Sequence, residues 1–270
     1  MTENIVFAFN MTLIAGAATG IGSLLAFFTS RTNTKFLSFA LGFSAGVMIY
    51  LAMVDIFVKA KILLVNELGT ISGNWATIAA FFSGMLMIAI IDQLIPEPGN
   101  PHNVKRVEDM YRFKRGEKDN ELLKMGSFTA IAIAIHNFPE GMATFMAALQ
   151  EPSLGIALAV AVAIHNIPEG VAISVPIYYA TGDKKKALKL SFLSGLAEPL
   201  GALAVYFILM PYLSDIVFGL IFAAVAGIMI FISLDELLPA AKKYDETHIS
   251  IYGLMTGMGV MAVSLILFIS

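Results

Sequence analysis

Residues 136–145 read HNFPEGMATF and residues 165–174 read HNIPEGVAIS. Each phrase follows an apolar run, AIAIAI before the first and ALAVAVAI before the second, and together they use two of the chain's 4 histidines. In both, His and Glu stand four residues apart, so an α-helix carries them on one face. Pro139 has no N–H and leaves the carbonyl of Ile135 without its helical partner, just ahead of His136; Pro168 does the same to Ile164 ahead of His165. In an apolar helix, such a carbonyl survives only where protein or water satisfies it. Two of these helices face to face would gather His136, Glu140, His165 and Glu169, with Asn137 and Asn166 beside them.

The surroundings are those of a membrane protein. Of 270 residues, 58% are hydrophobic and 14% charged, and the mean hydropathy is +0.80. Ordinary soluble domains carry roughly 25% charged residues. Crossing a bilayer takes about 20 apolar residues per helix, and windows of that kind fall near 5–28, 36–57, 75–95, 126–149, 154–178, 187–210, 214–238 and 249–269. The reading is an all-α membrane protein of eight transmembrane helices, one domain spanning 1–270, with a hydrophilic loop at 96–125. The first window lacks a basic leader and a cleavage site, so no removable signal peptide is expected. With no cysteine, disulfides and thiolate metal sites are excluded. The formal net charge of −3 gives no sign of a nucleic-acid partner.

Basic residues set the orientation, because Lys and Arg are retained on the cytoplasmic side. Arg31 and Lys35 lie in the first connection; Lys105, Arg106, Arg112, Lys114, Arg115, Lys118 and Lys124 lie in the third. Lys184, Lys185, Lys186 and Lys189 lie in the fifth, and Lys242 and Lys243 in the seventh. Only Lys59 and Lys61, in the second, fall on the other side. Both termini are therefore expected outside the cytoplasm, with 96–125 as a cytoplasmic loop.

The ends of the chain resemble each other. AGVMIYLAMVDI from Ala45 matches AGIMIFISLDEL from Ala226, and GAATGIGSLLA from Gly16 matches GLAEPLGALAV from Gly195. Matched helices would run in opposite directions. The pattern predicts a 3+2+3 arrangement: an inverted repeat of helices 1–3 and 6–8 around a central pair, a plan that secondary transporters use with a site at the repeat interface. Chance recurrence of small apolar phrases is the alternative, and Gly16, Gly20 and Gly195 are equally read as close-packing positions.

Imidazole nitrogen with carboxylate oxygen suits zinc, and also iron, manganese or nickel. Two carboxylates side by side repel, and a divalent cation between them removes the repulsion. The plainer reading is four polar residues hydrogen-bonding helices together; its appearance twice in succession argues against it. Glu198, mid-helix and before a proline, is read as a further metal ligand. Asp55 lies near the outer end of the second helix, Asp235 and Glu236 near the inner end of the seventh; they are placed as entrance and exit stations, or as interfacial acids. Asp92 is a weaker candidate. Met48 offers a thioether, although core filling is the usual work of methionine. His102 and His248 read as surface residues, and Trp75 as an interfacial anchor.

At these residues the chain resembles the ZIP family of divalent-metal transporters, in its bacterial zinc-uptake branch. The likeness covers the whole chain: eight spans, outside termini, a variable third cytoplasmic loop and the HNxPEG phrase on both central helices. It implies uptake of Zn²⁺, with Fe²⁺, Mn²⁺, Co²⁺ or Cd²⁺ as further substrates, across the bacterial inner membrane, and a homodimer in the lipid bilayer. It also implies a two-metal midplane site. His136, Glu140, His165 and Glu169 would form one position, near Met48. Asn137, Asn166 and Glu198 would complete the second, bridged by Glu140 and Glu169. The third loop has His102 alone where many relatives are histidine-rich, which puts metal sensing by that loop in doubt.

The rival functions are an intramembrane metalloenzyme, a proton-coupled carrier of a non-metal substrate, and a non-transporting metal sensor. A zincin needs HExxH, with Glu beside the first His as general base; that order is absent here, and no enzymatic activity is expected.

Overall fold

The computed structural model describes residues 2–28, 34–94, 118–212, 214–243 and 248–269, which are helical with no strand among them. Helix α1 is Thr2–Phe28. Helix α2 runs as Thr34–Tyr50, a π-helical segment Leu51–Ile56, and Phe57–Leu68. Helices α3, α4 and α5 are Thr70–Leu94, Lys118–Gln150 and Pro152–Thr181. Helix α6 comprises Lys184–Gly195, Ala197–Ala204, the π-helical Val205–Leu209 and a final turn Met210–Tyr212. Helix α7 comprises Asp215–Ile232, the π-helical Ser233–Leu237 and Leu238–Lys243; α8 is Ile249–Ile269.

Seven of these rods are long and apolar enough to cross a membrane. The eighth, α4, has the length, but it joins the HNFPEG phrase to a polar first stretch, KDNELLKMGS. Two boundaries differ most from the sequence windows. Helix α2 continues past residue 57 to Leu68, because the segment carrying Lys59 and Lys61 is made of good helix formers and buries Ala60 and Leu64. The connection to α3 then shrinks to Gly69, whose φ of 79° is a conformation glycine adopts without strain. Helix α4 begins at Lys118, inside the expected 96–125 loop; Leu, Glu and Lys there favour helix despite their polarity. The remainder of that loop, residues 96–117 with His102, lies outside the described residues.

The rods sort into two groups. Helices α1, α4, α5 and α6 pack on one another, as do α2, α3, α7 and α8, and a seam separates the groups where α5 meets α2 and α8, and α4 meets α7. Close packing is made by glycines set against backbone. A Cβ on Gly46 would strike the carbonyl of Leu254 in α8, and one on Gly227 that of Phe81 in α3. Likewise Gly84 abuts Ala224 in α7, and Gly257 abuts Phe43 in α2. One shift along the sequence carries Ala45 to Ala226, Gly46 to Gly227 and Phe43 to Ala224; a second carries Phe81 to Leu254 and Gly84 to Gly257. The first shift also lays the π segment of α2 over that of α7. Gly16 and Gly195 meet each other reciprocally, each against the other's carbonyl.

Candidate metal centre

Both central helices run unbroken through their prolines, and the i,i+4 spacing turns His136 with Glu140, and His165 with Glu169, to one locus between α4 and α5. His165 Nε2 lies 3.0 Å from Glu169 Oε1 and 3.9 Å from Glu140 Oε1. His136 Nε2 lies 3.5 Å from Glu169 Oε1 and 3.8 Å from Glu140 Oε1. The two Nε2 atoms are 3.4 Å apart. His136, His165 and Glu169 each offer an atom within 4.8 Å of the others. Zinc bonds of about 2.0–2.2 Å place neighbouring tetrahedral ligands about 3.4 Å apart. The observed spacings bracket that value.

Burial adds a charge argument. Glu140 is 2% exposed and His165 fully buried, and neither Glu140 oxygen has a hydrogen-bond partner. A buried carboxylate left in that state is costly unless a cation compensates it. The donor set of two imidazoles and two carboxylates therefore fits a divalent ion chemically as well as geometrically.

The two asparagines hold carboxylates. Asn137, with its amide oriented to satisfy its neighbours, donates to Glu169 Oε2 and to the Ile133 carbonyl, both at 3.2 Å. Asn166 Nδ2 donates to Glu198 Oε1 and, at 2.9 Å, to the Ala15 carbonyl. Glu198 is brought in by α6, whose backbone at that residue touches Gly141 of α4. Asn166 Oδ1 and Glu198 Oε2 are buried and without hydrogen-bond partners. They leave an unsatisfied oxygen pair beside the first cluster.

The remaining candidates separate. Glu236, read from sequence as an exit station, lies with its Oε1 3.7 Å from His136 Nδ1. The π segment of α7 thus sets a carboxylate beside the imidazole nitrogen that faces away from the cluster, the position from which an outer carboxylate orients a ligating histidine. Asp235, beside it, is exposed. Asp55 is not brought to the cluster; its Oδ1 is 3.3 Å from Lys59 Nζ. Met48 is fully buried in the apolar core, as is its counterpart Met229 at 1% exposure. Asp92 is half-buried near the end of α3, His248 is exposed, and Trp75 projects from α3 at 69% exposure. Sequence reading missed the Lys59 ion pairs. The signal that marks them is that Lys59 and Lys61 alone break the charge asymmetry of the connections.

Fold and site together define an all-α integral membrane protein with a buried cluster of imidazoles and carboxylates spaced to hold a metal ion among its helices. The sequence pattern of the family described as ZIP Zinc transporter matches residues 102–265. The chain is 66% identical over 269 residues to a zinc transporter ZupT of Lysinibacillus sphaericus, covering 100% of both chains. It is 65% identical over 265 residues to a zinc transporter ZupT of Oceanobacillus iheyensis, covering 98% of this chain and 99% of that one. A zinc transporter ZupT of Streptococcus mutans is 58% identical over 269 residues, with 100% of each covered. The chain belongs to the ZIP zinc transporter family.

Proposed function

We propose that this protein carries divalent cations into the cytoplasm, Zn²⁺ in preference and Fe²⁺, Mn²⁺, Co²⁺ and Cd²⁺ within reach of the same donors. The cation binds between α4 and α5 at His136, Glu140, His165 and Glu169. Asn137 steadies Glu169, Glu236 steadies His136, and Asn166 with Glu198 offers the adjoining second position. The observation that carries this is the set of five nitrogen–nitrogen and nitrogen–oxygen spacings between 3.0 and 3.9 Å around a buried carboxylate without hydrogen bonds.

The basic residues put the α2–α3 and α4–α5 turns outside and the α5–α6 turn inside. With that orientation α5 and α7 descend toward the cytoplasm. Glu169, one turn below His165, and Glu236 are the more exposed members of the centre, at 9% and 14% for their side chains. We infer that the site communicates with the cytoplasm in this conformation. We infer too that helices 1–3 and 6–8 form an inverted repeat around α4 and α5; the paired glycine contacts and paired π segments support it.

The test is metal uptake into liposomes holding the purified protein, with competing cations and an imposed pH gradient. Zinc should accumulate and be displaced by Fe²⁺, Mn²⁺, Co²⁺ and Cd²⁺ in a measurable order. Binding without flux would make the protein a sensor, and flux of a non-metal substrate with none of zinc would make it another carrier.

A further inference from the structure

Lys59 and Lys61 are the two basic residues that the charge count leaves on the outer side. For Lys59 the structure supplies a reason. Its Nζ lies 2.9 Å from Glu151 Oε2 and 3.3 Å from Asp55 Oδ1. Ser153 Oγ donates to Glu151 Oε1 at 2.7 Å. Asp55 and Lys59 are one turn apart on α2, in the group α2, α3, α7 and α8. Glu151 is the residue joining α4 to α5, in the group that carries the metal ligands. The ion pair therefore ties the two groups across the seam at the outer end, while His136 and Glu236 meet across it at the centre.

We propose that Lys59 is the outer latch of the transporter: its ammonium, bridging Asp55 and Glu151, holds the outer entrance shut, and the entrance opens when that bridge breaks. Asp55, read from sequence as an entrance acid, then has two partners, the tethered ammonium and an arriving divalent cation, which compete for it. Hydrogen bonds from Ser153 and Lys59 hold the Glu151 carboxyl below the usual carboxylate range, so it is charged when the latch closes. The Lys59 and Glu151 side chains are 28% and 44% exposed. Ion pairs this open to solvent are weak, which is what a gate that reopens in every cycle requires; a fully buried pair would trap one state. Glu151 on the turn and Lys59 on the opposing helix move apart as soon as the groups slide or rock along the seam.

The inference rests on the proposed transport and orientation, and its test separates the three. The chain has no cysteine, so single-cysteine reporters need no background removal. Thr144, fully buried on α4 one turn outward of Glu140, reports outer opening when replaced by cysteine. In proteoliposomes, Lys59→Met should raise labelling of that cysteine by an external, impermeant maleimide about fivefold, the reach of a weak ion pair. Glu151→Gln should do the same, and the double variant no more than either single one. Lys59→Arg should retain the slow rate. As the outward-open fraction rises, the KM for external zinc should fall by a similar factor. Glu151→Gln, at an exposed turn, carries the test alone if Lys59→Met fails to fold. Unchanged labelling and KM in Glu151→Gln overturn the latch. Cysteines at Glu67 and Lys185 check the frame: labelling of the first only from inside, or the second only from outside, overturns the orientation, and absence of zinc flux in the unaltered protein overturns the transport reading.

Discussion

The two helix groups are welded internally by the same device and filled with opposite chemistry. In α2, α3, α7 and α8 the buried polar residues among those described are hydroxyls alone: Ser38, Ser44, Thr77, Ser233 and Ser250. In α1, α4, α5 and α6 the buried set includes His136, Asn137, Glu140, His165, Asn166, Glu169 and Glu198. Both groups bring helices together at glycines that touch backbone carbonyls, Gly46 against Leu254 in one and Gly141 against Glu198 in the other. The difference shows which group holds the buried ionisable and amide side chains to which we assign the cation. A membrane helix tolerates charged and amide groups only where something polar repeatedly meets them, and one group alone is built for that. The other is an apolar wall, with Glu236 and Asp55 as its contributions along the seam.

The sharpest way to break that division is to remove chemistry from each side. Glu140→Gln or Glu169→Gln keeps shape and deletes a charge that faces both imidazoles. Zinc uptake in proteoliposomes should fall at least 100-fold, because ligand loss exceeds the 10–100-fold that outer-layer partners cost. Glu198→Gln should do less, serving only the adjoining position. Met48→Leu in the opposite group conserves volume and should cost under about 1.5 kcal/mol of stability, leaving uptake near normal. If Met48→Leu abolished zinc binding measured by calorimetry, the wall would be supplying a ligand and the division would fail.

Next in size is packing. Gly46→Ala and Gly141→Ala each drive a Cβ into a backbone carbonyl. Overpacking of this kind costs about 1–3 kcal/mol, so both should lower the midpoint of thermal unfolding in detergent. They should differ in a second readout. Gly141 touches Glu198, so its variant should also weaken metal binding, while the Gly46 variant should bind zinc normally once folded. Equal loss of binding in both would mean that the groups form one rigid body.

How much of this the sequence disclosed depends on the range of each interaction. The cluster at His136, Glu140, His165 and Glu169 was legible because its spacing is local and repeated: four residues apart on a helix is one face, and two copies on adjoining helices invite a shared ion. The eight rods were legible from apolar windows. Lys59 was not, because a charged residue just past an apolar window reads as the start of a loop, and its partner Glu151 is 92 residues away. The pairings of Asn166 with Glu198 and of Asn137 with Glu169 also had no periodic signature. They depend on which rotamers the crossing of α4, α5 and α6 leaves open. Glu236 was placed by its distance along α7 from the membrane edge, and that measure says nothing about how α7 leans on α4.

Asp55 and Glu236 give the smallest effect and the finest comparison. The sequence repeat makes them equivalents, and each stands in or beside a π segment. Equivalence in the repeat would give them matching roles at opposite mouths. Their contacts differ: Glu236 stands 3.7 Å from His136 Nδ1, while Asp55 is paired with Lys59. Glu236→Gln should therefore weaken zinc binding about tenfold, toward the low end of what an outer partner of a ligating histidine contributes. Asp55→Asn should leave equilibrium binding unchanged and alter only the rate at which external zinc reaches the site. Calorimetric titration of both variants in detergent, beside stopped-flow uptake in liposomes, separates binding from access. Equal loss of affinity in the two would restore their symmetry and make Asp55 a part of the centre. No loss in either would reduce Glu236 to a gate, and His136 would then be held by α4 alone.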